Sequence, residues 1–229
     1  MYIYGKNTIK EYLQKNEKID KIYLQDNFHD QKLKTIIQNL KIDYKYVPKS
    51  KLDGLAKGNH QGIIGVINDF KYTDEKEIMK GEFLIILDHL EDPHNFGAII
   101  RTAEAAGVDG IIIPKDRSVS VNETVSKVST GCISRVKIAK VTNLVTTIEN
   151  LKKQGFWIVG SDMKGTRYDQ IDYKGKTAIV IGNEGKGMSE LVSKKCDFIA
   201  TIPMKGTVNS LNASVATGIL IFEALKQRG

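Results

Sequence analysis

Cysteine is nearly absent: Cys132 and Cys196 are the only two. They form no CxxC pair, so neither a disulfide framework nor a zinc site is indicated, and a reducing cytoplasm is the expected setting. His89 and His94 lack a third partner in a fitting register, so no metal is expected. Long apolar runs are missing too. None approaches the roughly 18–20 residues of a membrane span, and MYIYGKNTIK lacks the apolar core of a signal peptide. Arginine is scarce and one-sided. Arg101, Arg117, Arg135, Arg167 and Arg228 all lie beyond residue 100, and lysine supplies every positive charge in the first 80 residues. Lysine is a hydrated point charge suited to loose phosphate contact, and arginine a planar fork suited to fixed geometry. The alternative is a lysine-rich composition without functional meaning. Two nucleotide signatures are also lacking. FLIILDHLEDPHNFG has no GxGxxG turn, which disfavours an ordinary Rossmann-type site. The loop 182–189 has the glycines of a phosphate-binding loop but Met188 in place of its lysine, so nucleotide hydrolysis is not expected.

What is present is ordinary for a soluble globular protein: 229 residues, 41% hydrophobic and 27% charged. That is enough for one large domain or two smaller ones. A net charge of +7 and a pI of about 9.2 favour a polyanionic partner, although mild basicity also serves solubility alone.

Periodicity divides the chain at a polar stretch. Residues 7–13 read as a helix after Gly5, 21–24 as a strand, and 31–40 as a helix with Leu33, Ile36, Ile37 and Leu40 on one face. Residues 44–47 and 62–67 read as strands. KYTDEKEIMK (71–80) offers little to bury and reads as a linker. FLIILD beyond it is a continuous apolar strand, the signature of a parallel sheet covered on both faces. There follow a helix over 95–106, the strand GIIIP, a helix over 142–154, the strands FWIVGSD and TAIVIG, and a closing helix over 210–226. This alternation indicates an α/β sheet with ligands at the carboxyl ends of its strands. The expected organisation is a small α/β domain over 1–70, a linker over 71–80 and a larger α/β domain over 81–229.

Polar residues gather at three strand ends. DHLEDPHNFG (88–97) leads into a helix, and Asn95 suits its N-cap. Arg101, amid Ile99, Ile100 and Ala103, calls for a specific contact or a buried ion pair, because its charge is costly to bury unpaired. AIVIGNEGKGMS (178–189) holds three glycines in one turn, which lets backbone approach a ligand closely. Glu184 there would repel a phosphate. It suits a ligand bearing amines or hydroxyls, or is an exposed turn residue. IPMKGTVNSLNASVA (202–216) opens a helix with Asn209, Ser210, Asn212 and Ser214. One N-cap needs one such residue, so the surplus implies polar recognition. The small Ala213, Ala216 and Gly218 imply close packing.

DPHNFGAIIRTAEAAGVDGIII, VIGNEGKGMS and IPMKGTVNSLNASVATGI resemble, in order and spacing, the three motifs of the SpoU (TrmH-type) branch of the SPOUT RNA ribose methyltransferases. The likeness covers residues 83–225. YGKNTIKEYL and GNHQGIIGVI resemble the small RNA-substrate-binding domain of one subgroup, the bacterial 23S ribosomal RNA guanosine 2′-O-methyltransferases. That domain is similar to ribosomal protein L30e. The resemblance implies an α/β fold with a carboxyl-terminal trefoil knot, S-adenosylmethionine as cofactor, and a homodimer formed through the knot with its active site shared between subunits. It implies catalytic-centre roles for Asn95, Arg101, Glu184, Ser210 and Asn212. It places Gly182, Ile202 and Leu211 where backbone holds the cofactor's adenine and its surroundings, with Met204 and Ala216 as further cofactor contacts. In the first domain Asn7, His60 and Gln61 are the candidate RNA contacts, though His60 and Gln61 read equally as turn structure before a strand.

In such a reaction the ribose hydroxyl is the poor partner. Arg101 would activate it as a base or by stabilising the developing alkoxide, and a pKa above about 12 favours the electrostatic role. The rival readings are ribose methylation of transfer RNA, resistance-type methylation of a ribosomal RNA adenosine, and a non-catalytic RNA-binding or ribosome-assembly protein of the same fold.

Overall fold

The computed structural model describes residues 2–56, 58–67 and 70–229. They form two units: Met1–Lys71 with Val121–Gly131, and Tyr72–Ser120 with Cys132–Gly229.

The smaller unit runs β1 (Tyr2–Tyr4), α1 (Lys6–Gln14), β2 (Lys21–Gln25), α2 (Gln31–Asn39), β3 (Tyr44–Val47), α3 (Lys49–Leu55) and β4 (Ile63–Val66). Its sheet order is β1-β4-β2-β3. β4 is antiparallel to β1 and β2, and β2 is parallel to β3. Period-two alternation buries Ile22 and Leu24 of β2, and they share a core with Ile9, Tyr12 and Leu13 of α1 and Leu33 and Ile37 of α2. α3 was not expected, because KSKLDGL buries only Leu52 and leaves no periodicity to read.

Asp30 caps α2. Its carboxylate accepts from the Leu33 N–H at 3.1 Å and pairs with Lys10 of α1 at 3.1 Å. Those bonds, the backbone one first, hold its carboxyl below the ordinary aspartate value. A depressed folded pKa stabilises above the unfolded value and stops doing so as pH falls through the folded one. Asp30→Ala should therefore cost about 1 kcal/mol at neutral pH. In denaturant melts the gap should close below about pH 4. A gap that persists at pH 2 would show that the loss is packing, not charge.

The larger unit runs α4 (Glu75–Ile78), β5 (Phe83–Leu87), α5 (Pro93–Ala105) and β6 (Gly110–Pro114). The chain then returns to the smaller unit as α6 (Glu123–Val128), where Tyr12 and Ser126 share a buried 2.6 Å hydrogen bond. The larger unit resumes with β7 (Ile138–Val141), α7 (Leu144–Lys153), β8 (Trp157–Arg167), β9 (Thr177–Ile181), α8 (Glu190–Ser193), β10 (Phe198–Thr201) and α9 (Ala213–Arg228). Its six strands are all parallel, in the order β10-β8-β9-β5-β6-β7. β5, β6 and β9 are buried at every residue, as their continuous apolar runs require. Leu84, Ile86, Ile158, Ala178 and Val180 meet Leu144, Ile148 and Leu151 of α7 and Val192 of α8 in one core. α5 and α9 pack on each other.

The stretch 71–80, expected as a linker with little to bury, contributes α4, and Ile78 and Met79 are buried in this core. Val121–Gly131, expected in the larger domain, groups with the smaller unit. Both cysteines are free, and burial pushes the Cys196 thiol up to about 12. Among the described residues, no helix is long and apolar enough to cross a membrane.

Candidate functional site

Two strands, β9 and β10, end at one cavity, and β8 between them passes it. β8 lies between β10 and β9 and parallel to both; its pairing with β9 stops at Gly160, and its pairing with β10 resumes at Thr166. Ser161, one residue beyond the pairing of β8 with β9, and Gly182 and Ile202, each just past the end of its strand, line a cavity of about 600 Å³, the size of a small-molecule site. Met204, Leu211 and Ala216 add apolar wall, and Glu184, Ser210 and Asn212 add polar groups. All five cofactor candidates and three of the five catalytic candidates therefore line one cavity.

The turn after β9 is closed by its own backbone. Asn183 and Gly187 exchange two N–H···O bonds of 2.9 Å, and Asn183 Oδ1 accepts from the Gly185 and Lys186 N–H groups at 2.9 and 3.2 Å. A Cβ on Gly182 would lie 2.2 Å from the backbone of Gly187 and Met188, so only glycine fits. Asp88, just past β5 and 1% exposed, ties the far side of the turn. It accepts from the Ser189 N–H at 2.6 Å and pairs with His89 Nδ1 at 2.6 Å. Asp88 was not a sequence candidate. Its signal is a carboxylate ending an apolar strand, a place it holds only if hydrogen-bonded.

Asp92, not Asn95, caps α5. Its carboxylate accepts from the His94 N–H at 2.8 Å, with Pro93 opening the helix. The expected capping role of Asn95 gives way, and its side chain is released for another task. Asn95 is 6% exposed. Its Nδ2 donates to Glu184 Oε1 at 3.1 Å, and its Oδ1 accepts from Asn212 Nδ2 at 2.8 Å. Glu184 also accepts from the N–H groups of Asp92 at 3.3 Å and Glu91 at 3.4 Å. It therefore sits at the positive end of α5. Asn212 caps α9, accepting from Ser214 N at 2.9 Å and Val215 N at 3.4 Å. That helix starts at Ala213 rather than 210, which leaves Ser210 exposed in the loop before it. One hydrogen-bond chain, Glu184–Asn95–Asn212, thus joins three motifs far apart in sequence.

Arg101 stands apart. Six residues beyond Asn95, it is turned about 240° around α5 and displaced about 9 Å along it. It is exposed, has no hydrogen bond or ion pair among the described residues, and does not line the cavity. The expected partner within a buried setting is absent because Ile99, Ile100 and Ala103 turn inward while Arg101 turns out. On α9, Val215 and Phe222 lie seven residues apart on one face, 51% and 49% exposed.

In the smaller unit, both ring nitrogens of His60 serve the turn. Nδ1 accepts from the Gly62 N–H at 3.0 Å, and Nε2 donates to Asp53 Oδ1 at 2.9 Å. At 6% exposure, His60 offers RNA little. Gln61, at φ +51°, accepts from the Lys6 N–H at 2.9 Å and so sits at the start of α1 beside the exposed Asn7.

Residues 82–222 match the SpoU rRNA Methylase family, and residues 2–73 match the family described as RNA 2′-O ribose methyltransferase substrate binding. A Staphylococcus haemolyticus protein named for the TrmH family of tRNA/rRNA methyltransferases is 45% identical over 237 residues, covering 99% of this chain and 95% of its own. A Staphylococcus aureus (strain COL) protein of the same name is 46% identical, covering 99% and 96%. Among solved structures, the SpoU methyltransferase AviRb from Streptomyces viridochromogenes, in complex with AdoMet, has a TM-score of 0.80 at 22% identity, covering 99% of this chain and 90% of that one. The AdoMet-bound rRNA methyltransferase from Sinorhizobium meliloti has a TM-score of 0.79 at 26% identity, covering 98% and 86%. The fold class is the expected one, a SPOUT-type α/β domain with an amino-terminal substrate-binding domain. With both parts matched along nearly the whole chain, the protein belongs to the SpoU/TrmH family of S-adenosylmethionine-dependent RNA methyltransferases.

Proposed function

We propose that the chain methylates the ribose 2′-hydroxyl of a guanosine in 23S ribosomal RNA, as a homodimer whose active site joins two subunits. The convergence of Glu184, Asn95 and Asn212 in one hydrogen-bond chain at the cavity carries the reading. The cavity suits the cofactor. Ile202, Met204, Leu211 and Ala216 offer an apolar wall to an adenine, and the turn at Gly182 brings bare backbone against it. S-Adenosylmethionine supplies an electrophilic methyl on its sulfonium.

The protein's own residues do the rest. Glu184 and Asn212 fix the Asn95 amide between them, and with Ser210 they orient the ribose, a contribution of geometry. The Arg101 guanidinium stabilises the alkoxide as it forms, or the neighbouring phosphate. In its own chain it lies off the cavity, so it serves the site of a second copy. Val215 and Phe222 give that copy an apolar face to cover. The lysine-rich first domain, with Asn7 and Gln61 at one edge, grips RNA through phosphates. The choice of a 23S guanosine rests on the likeness of YGKNTIKEYL and GNHQGIIGVI to that subgroup.

Mapping 2′-O-methyl marks in all stable RNAs of a strain lacking the protein tests this. One methylguanosine in 23S RNA should disappear, and wild-type protein but not Asn95→Ala should restore it. A mark lost from transfer RNA would overturn the substrate, and no lost ribose mark would overturn the reaction.

A further inference from the structure

β8 does not run straight beside β10. Phe198 and Ile199 pair with Val159 and Gly160, but Ala200 and Thr201 pair with Thr166 and Arg167. Residues 161–165 therefore loop out between the two pairings. The excursion is held in place. Where it returns, a Cβ on Gly165 would lie 2.2 Å from the Ile199 carbonyl oxygen. Across its middle, Thr201 Oγ1 donates to the Met163 carbonyl at 2.9 Å. So held, it presents Ser161, Asp162 and Met163 to the cavity.

Two carboxylates face that cavity, and they are not equivalent. Glu184 is occupied by Asn95 and the amides of Glu91 and Asp92. Asp162 uses one oxygen only: Oδ1 accepts from the Met163 N–H at 2.6 Å, and Oδ2 has no partner among the described residues. Asp162 lies within β8, two residues past its last pairing with β9, and the strands that flank β8 lead to Gly182 on one side and Ile202 on the other. Those are positions assigned above to the adenine's surroundings. A carboxylate with open lone pairs there meets the donors that an adenosine carries beside its base, the ribose hydroxyls.

We infer that Asp162 Oδ2 accepts a hydrogen bond from the ribose diol of the cofactor. The inference rests on the reading that this cavity holds the cofactor. Asp162→Ala tests it, because it removes the open acceptor and leaves the exposed Met163 N–H to water. Calorimetry should compare S-adenosylhomocysteine with its 2′,3′-dideoxyribose analogue. Wild-type protein should prefer the diol by about tenfold to a hundredfold, and Asp162→Ala should bind the two alike. Asp162→Ala that keeps the wild-type preference overturns the role of Asp162. Ala216→Phe, which fills the cavity from α9, separates that failure from a deeper one. If it abolishes binding, the cavity assignment stands whatever Asp162 does. Unchanged affinity in Ala216→Phe overturns the cavity assignment and the role of Asp162 together.

Discussion

Arg101→Ala should lower methyl transfer by about 10²–10³-fold while leaving cofactor affinity unchanged. The size is that of removing one preorganised donor from a developing negative charge. The split follows from geometry, since Arg101 is exposed and lies outside the cavity of its own chain. Arg101→Lys should recover only part of the rate, because an ammonium keeps the charge but not the planar fork. A tritium-methyl transfer assay with RNA, paired with calorimetry, reads both quantities. Wild-type turnover in Arg101→Ala would remove the residue from the mechanism. Parallel loss of binding and turnover would place it in the cofactor site instead.

Two dead variants should revive each other. If Arg101 serves the partner's cavity, a mixed dimer of Arg101→Ala and Asn212→Ala contains one site with both native groups and one with neither. Random pairing then restores about a quarter of the wild-type sites. If Arg101 acts within its own chain, every site in every dimer lacks one group, and co-expression restores nothing. Rate against mixing ratio, measured on co-expressed chains, distinguishes the two outcomes. Deep loss in each variant alone is expected, because Asn212 both anchors Asn95 and caps α9.

Much of this site is written in local chemistry. Gly182, Glu184, Ser210 and Asn212 stand out because polar residues and glycines follow apolar strands. The strands themselves read directly, since residues such as Leu84 and Ile179 sit in unbroken apolar runs. What stayed hidden depends on contacts made at a distance. Nothing local tells that Asp92 takes the cap and frees Asn95, because both are good capping residues three positions apart. The outward turn of Arg101 depends on which face of α5 is buried, the one carrying Phe96, Ile99, Ile100 and Ala103. The excursion bearing Asp162 was read as plain strand, because its departure is defined by the register of β10 and not by its own residues. α6 carries too few buried residues to announce itself, and its home is set by the buried pair Tyr12–Ser126.

That pair has a consequence for how specificity is exchanged between relatives. A chimera that transplants only the first 71 residues carries the Tyr12 phenol away from Ser126. A hydroxyl marooned in an apolar setting costs about 1–3 kcal/mol, enough to spoil many grafts. The transferable cassette is two pieces, the leading segment and Val121–Gly131. A single junction separates that pair, so the heritable module is discontinuous in the gene though continuous in space.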